Sequence, residues 1–243
     1  MLKKINRYFF RCFHPIIGEV WQLHRVSNMQ SLHNCMRPYE ITPERLESLI
    51  ISYLDKGCEF VSMETVEKRM QQTQHGIFFV AVTLDDGYAD NFEVALPIFK
   101  KYNIPFCIYL TEKFIREGSK ASPQEESVEH YSYLTEQQVI LLDKEPLCTI
   151  GAHTRTHVRL SQLNVEQQRH EIKGCIDWIE NLLHHQIADY AFPYGDYNTD
   201  TLSIMRELKV KRAVASWGGK IRKNTSPKLF EIPRVLVTMD NIK

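Results

Sequence analysis

The chain of 243 residues carries 30 basic and 30 acidic side chains, so its formal charge is zero. That balance excludes the basic footprint of a nucleic-acid-binding protein. The length suffices for one α/β domain with a sizeable core, and no apolar run approaches a membrane span.

Residues 1–18 mix Lys, Arg, Phe and Tyr, but Arg11 and His14 interrupt the apolar stretch before it reaches signal-peptide length. This segment is expected to precede a single folded domain over 19–243. It reads either as an ordinary basic surface or as a patch resting on an anionic membrane. The corresponding expectation is a cytoplasmic protein with peripheral contact at the inner membrane face. Six scattered cysteines (Cys12, Cys35, Cys58, Cys107, Cys148 and Cys175) form no CxxC pair. They read as reduced thiols rather than a disulfide framework.

The predicted elements alternate between strand and helix. Glu19 to Val26 is a first strand. Thr42 can cap a helix in which Pro43 suits the first turn, and Leu46, Leu49, Ile50, Tyr53 and Leu54 share a face. Gly57 ends it. Phe60-Val61 is a short extended piece, and Glu64 to Met70 a second helix. Ile77 to Leu84 is a nearly continuous apolar run, the pattern of a strand covered on both faces. A helix over 91–102 and a strand over 105–110 follow. The polar stretch 118–133 reads as a long loop or lid. Then come a helix over 135–142, a strand over 147–151 and a long amphipathic helix over 164–184. Segments 190–192, 213–216 and 230–237 are the last extended pieces. This alternation predicts an α/β fold with a parallel sheet or barrel.

Two segments carry chemistry. Asp85-Asp86-Gly87 sits at the C-terminal end of the most apolar strand, the edge where parallel α/β folds collect their active sites. The same tripeptide is also an ordinary turn. If strand geometry persists, the two carboxylates point to opposite sides, one for a metal and one for the reacting centre. His153-Thr154-Arg155-Thr156-His157 follows another strand, and its spacing of four aims both rings at one point on a helical turn or tight loop. Surface helices carry such pairs by chance, yet together the segments offer a His₂-carboxylate set with a position open for water. A neighbouring acid can then activate that water. Pro193-Tyr194-Gly195 after a third strand is either a turn or a source of a backbone N–H for an oxyanion.

In combination these segments resemble the polysaccharide deacetylases of the NodB-homology type (carbohydrate esterase family 4), over roughly residues 20–237. The T-F-D-D-G motif is matched by Thr83 to Gly87, H-[ST]-x-x-H by His153 to His157, and Pro-Tyr by Pro193-Tyr194. The resemblance implies a distorted (β/α) barrel of about seven parallel strands and a metal-dependent N-deacetylase. It implies Asp85 as general base, Asp86, His153 and His157 as metal ligands, and Tyr194 as an oxyanion donor.

The chain departs from the family pattern in two places. No histidine follows His185, so the usual C-terminal Leu-x-His acid is missing. Trp21 to Val26 instead resembles the strand of a circularly permuted branch that includes poly-N-acetylglucosamine deacetylases, which makes His24 the candidate acid. The Arg that precedes Pro-Tyr in the family is also absent. Arg234 is its candidate replacement beside Asp85, with an ordinary surface ion pair as the other reading. By the resemblance Trp217 lies near the position of an acyl-pocket aromatic, but core packing is the expectation.

The expected cofactor is a divalent metal, Zn²⁺ in first place, although the same donor set also accommodates cobalt, nickel or iron. The expected partner is an N-acetylated glycan, with no nucleic acid, and no motif speaks to oligomeric state. Other readings of the same residues are an inactive carbohydrate-binding barrel and a metal-dependent amidase on a non-sugar substrate.

Overall fold

The computed structural model describes residues 15–28, 39–71, 76–118, 131–223 and 228–239. The N-terminal basic segment and most of the expected lid lie outside the described residues. In chain order the elements begin with β1 (Ile16–Leu23), a short parallel pair β2 (Arg25–Val26) and β3 (Glu40–Ile41), α1 (Pro43–Asp55), β4 (Glu59–Phe60) and α2 (Met63–Gln71). Next are β5 (Phe79–Leu84), a π-helical turn (Asn91–Ala95) leading into α3 (Leu96–Tyr102), β6 (Phe106–Leu110), α4 (Glu112–Glu117), α5 (Glu136–Asp143) and β7 (Cys148–Ala152). The chain continues through α6 (Val165–Leu183), β8 (Asp189–Ala191), α7 (Thr199–Glu207), β9 (Arg212–Gly218), β10 (Ile221–Arg222) and β11 (Ile232–Leu236).

Seven of these strands close into a parallel barrel in the cyclic order β1, β5, β6, β7, β8, β9, β11. Closure depends on β1, which runs in register with β5 from Gly18 opposite Phe79 to Leu23 opposite Leu84, and meets β11 on its other side. Outside the ring, β4 extends the β5 edge and β10 lies antiparallel to β1.

Period-two alternation divides the strand residues between two cores. Trp21, Leu23, Val80, Val82, Leu84, Ile108 and Leu110 are fully buried in the larger cluster, against the helices. Their alternates Val20, Ala81, Cys107, Tyr109, Ala191, Val214 and Ile232 fill the barrel. Most of these interior side chains are small because seven strands enclose little space. Met63, Val66 and Met70 of α2 join this inner cluster and close the N-terminal end of the strands. Towards the C-terminal end the interior turns polar, with Gln22, Thr83 and Arg234 all buried. Gly151 shows how tight the barrel is: a Cβ there would lie 2.6 Å from the Tyr109 ring and 2.8 Å from the Asp189 carbonyl.

The elements follow the sequence reading with shifts of a few residues. Thr42 caps α1 by accepting from the Arg45 N–H, and Asn164 with Gln167 forms a capping box on α6. Two helices, α4 and α7, escape the sequence reading. The first has six residues, too few for a periodic signal. The second is marked by its Asn198 cap, with a capping box closed through Thr201 instead of an acid. Strand β1 begins at Ile16 and ends at Leu23, so His24 sits at a break and not inside a strand. Cys58, Cys107, Cys148 and Cys175 are free thiols. No helix among the described residues is long and apolar enough to cross a membrane.

Candidate active site

Strand β5 delivers the paired acids. The Asp85 N–H still donates to the Leu23 carbonyl (2.9 Å), continuing the β1 ladder. Asp86 and Gly87 then turn with φ of 74° and 78°. A side chain at Gly87 would come within 2.9 Å of Ile115, so the turn needs glycine for both reasons. Strand geometry therefore ends at Asp85 and does not extend through Asp86. Asp85 and Asp86 do not point apart: both line the same cleft.

The two histidines stand on a loop after β7, not on a helix. The His153 N–H donates to the Leu110 carbonyl (2.8 Å), and its Nδ1–H to the Ala191 carbonyl (2.8 Å). That second bond fixes the tautomer and leaves Nε2 facing the cleft. Thr154 and His157 both adopt left-handed backbone, with φ of 68° and 58°. Such conformations persist only when the surroundings over-determine them. Here the Thr154 hydroxyl accepts from the His157 N–H (2.9 Å). The Thr156 N–H and hydroxyl both donate to the Glu171 carboxylate on α6 (2.9 and 2.8 Å), while Arg155 pairs with Glu112 of α4 (2.7 Å).

These two loops bring three ligand atoms together. His157 Nε2 lies 3.3 Å and His153 Nε2 3.6 Å from Asp86 Oδ1, and the three atoms lie within 4.8 Å of one another. Asp86 Oδ1 is buried and makes no hydrogen bond, an arrangement that costs free energy unless a cation completes it. Burial pushes the Asp86 carboxyl up despite the nearby histidines. Burial also pushes both imidazoles down to about 4, so they are neutral donors at neutral pH. Two imidazoles and a carboxylate form a donor set that fits a divalent metal.

Asp85 sits beside this cluster in a different environment. Arg234 of β11, 2% exposed, donates from Nη1 to Oδ1 and from Nη2 to Oδ2, each at 2.7 Å. Its Nε–H donates to the Ala215 carbonyl and its Nη1 also to the Thr83 hydroxyl. Gln22 adds a third donor to Asp85 (2.8 Å) and reaches Ser216 (3.1 Å). Burial alone would raise the Asp85 carboxyl, but the guanidinium holds it well below the usual carboxylate range. Arg234 is thus a buried bidentate partner, not a surface ion pair.

His24 reaches the cleft from the break after β1. Its carbonyl accepts from the buried Asn91 side chain (2.8 Å), and its ring meets Tyr39 edge-on. Its Nε2 lies 3.9 Å from Asp85 Oδ2. Tyr194 occupies the turn after β8 with φ of 59°, its ring 4.7 Å from that of His157. The turn's own bonds come from the Gly195 and Asp196 N–H groups, and neither uses the Tyr194 N–H.

Together these residues line a cleft of about 370 Å³, with Tyr39, Tyr88, Tyr131 and Tyr133 among its walls. All six sequence-chosen residues face this cleft. Trp217 does not pack in the core: it is 54% exposed, its ring stacked on Tyr197 and its indole N–H bonded to the Gly195 carbonyl (3.1 Å). Gln22, Ser216 and Glu171 escaped the sequence reading. Gln22 lies two residues before His24 in the same strand reading, and alternation alone could have found it.

A family model described as polysaccharide deacetylase matches residues 72–213, more than half of the chain. The Bacillus subtilis protein YxkH is 28% identical over 159 residues, which cover 65% of this chain and 51% of YxkH. The matched region thus spans about half the length of that curated relative. The Streptococcus pyogenes deacetylase PplD, solved in complex with acetate, has a similar fold with a TM-score of 0.78 at 22% identity, covering 93% of this chain and 94% of its own. IcaB from Ammonifex degensii gives 0.77 at 22% identity, covering 93% of each chain. The paired acids and the HxxxH loop lie within the region that the family model matches, and the chain belongs to the polysaccharide deacetylase family.

Proposed function

We propose that this chain is a metal-dependent hydrolase that removes N-acetyl groups from amino sugars of a glycan. The observation that carries the reading is the contrast between neighbouring acids. Asp86 is buried with an unsatisfied oxygen against two imidazoles. Asp85 is locked as an anion by Arg234. One suits a cation and the other suits a proton acceptor. The structural relatives include a deacetylase seen with acetate and a de-N-acetylase from Aggregatibacter actinomycetemcomitans, which lie in the same direction.

Asp86, His153 and His157 would hold the ion, with zinc the best fit to two nitrogens and one oxygen. When bound there, such an ion supplies Lewis-acid polarisation of the amide carbonyl and acidifies water. The protein's own groups do the rest. Asp85 accepts a proton from the attacking water as the new C–O bond forms. The Tyr194 N–H donates to the oxygen that gains charge at the acyl carbon. His24 gives a proton to the nitrogen as the C–N bond breaks, leaving acetate and a free amine. Amines leave poorly without that proton, and assistance of this kind is typically worth about 10²–10⁴-fold.

The reading is tested by incubating the protein with N-acetylglucosamine oligosaccharides and measuring acetate, with and without a chelator. Acetate that disappears on chelation and returns with added zinc is expected. Absence of acetate from a metal-loaded protein would overturn the hydrolase reading.

A further inference from the structure

We propose that Arg159 is an anion-recognition point at the lip of the cleft, so that the glycan acted on bears a carboxylate or phosphate close to its N-acetyl group. This rests on the deacetylase reading above and names the chemical class of its substrate.

Arg159 lies two residues beyond His157 and lines the same cleft as Asp85, Asp86 and His24. Its guanidinium carbon sits 4.2 Å from the centroid of the Tyr194 ring, and the Tyr194 ring in turn packs against His157. One aromatic ring therefore separates the guanidinium from a candidate metal ligand. An anion held there belongs to the reacting sugar or to its immediate neighbour.

Among the described residues the side chain makes no ion pair. Arg25, Arg116, Arg155, Arg169, Arg212 and Arg234 each hold a carboxylate at 3.1 Å or less. Arg159 holds none among the described residues and is exposed to the cleft mouth. The carboxylates that line its cleft are turned elsewhere: Asp85 is held by Arg234, and Asp86 Oδ1 faces the two imidazoles. Stacking on Tyr194 occupies one face of the guanidinium and restricts its motion, which leaves the donor edge free. That edge matches two oxygens of a carboxylate or phosphate at once. A restricted side chain also loses less freedom on binding than a mobile one. Neutral hydroxyls can accept from it, but without the charge that makes such a bond strong.

The test measures binding by calorimetry for N-acetylglucosamine, N-acetylmuramic acid and N-acetylglucosamine 1-phosphate. The proteins compared are the unaltered chain, Arg159→Gln and Arg159→Lys, each with a chelator present so that no sugar is turned over. At least one anionic sugar should bind about tenfold or more tightly than the neutral one, as a charge-assisted bidentate contact implies. Arg159→Gln should remove most of that preference while melting like the unaltered protein, and Arg159→Lys should keep part of it. Added salt should weaken the anionic sugars selectively. Whether the muramic acid or the phosphate shows the gain identifies which oxyanion is read. Equal binding of all three sugars, or a preference that survives Arg159→Gln, would overturn the proposal. Because binding is read without turnover, failure to release acetate would count against the deacetylase reading and leave this result standing by itself.

Discussion

Arg234 and Asp85 are separated by 149 positions in the chain, yet they meet edge to edge through two 2.7 Å hydrogen bonds inside the mouth of the barrel. Their meeting requires β1, which lies between β5 and β11 and closes the ring. Removing either partner leaves the other charge buried. Arg234→Met should therefore destabilise the fold by about 3–5 kcal/mol. Combining it with Asp85→Asn should recover much of that loss. Urea unfolding of the two single variants and the double variant checks the coupling; simple additivity would mean that the pair is not a unit.

Glu171 illustrates a different kind of support. Its carboxylate takes both donors of Thr156, the residue before His157, whose backbone is left-handed. Glu171→Ala should loosen that loop and weaken zinc binding by about 10–100-fold, as loss of outer partners of metal ligands typically does. Glu171→Gln keeps one acceptor and should lie between. Competition titration against a zinc dye reads the effect directly.

The metal-free protein should show a characteristic acid sensitivity. Burial lowers His153 and His157 from 6.5 to about 4. An unfolded chain therefore takes up protons at both positions between about pH 6.5 and 4, where the folded chain does not. Stability from these groups is complete above 6.5 and is lost as pH falls towards 4. The two imidazoles should add close to two protons to the uptake on unfolding in that window, against release from Asp86 and Asp90, whose carboxyls burial raises, so His157→Gln should lower the net uptake by about one. Denaturant unfolding at a series of pH values measures it.

Barrel packing makes its own prediction. Gly151→Ala places a methyl group against the Tyr109 ring and the Asp189 carbonyl, and the latter is backbone that cannot step aside. A loss of about 1–3 kcal/mol is expected, typical of over-packing in a filled core. Calorimetric melting of this variant is sufficient to see it.

The barrel was legible because its strands are short apolar runs separated by helical patterns, and the Phe79–Leu84 run announces burial on both faces. Asp86, His153 and His157 were legible because each follows the C-terminal end of such a strand. What escaped is what depends on tertiary closure. Nothing local to Arg234 indicates that β11 will lie next to β1. Glu171 looks like any acid on an amphipathic helix until the loop after β7 folds over it. The size and apolarity of Trp217 favour the core, whereas its place at the end of β9 carries it beyond the last layer of packing.

Zinc content and acetate release, measured together on four proteins, test the central claim most directly. The unaltered chain and Asp85→Asn should each hold about one ion, as three ligands and an open position imply. Asp86→Ala and His157→Ala should hold almost none. Acetate should come from the unaltered chain alone. A variant lacking Asp86 that still binds zinc as tightly as the unaltered protein, or an Asp85→Asn protein that turns over undiminished, would contradict the division of labour between the two neighbouring acids.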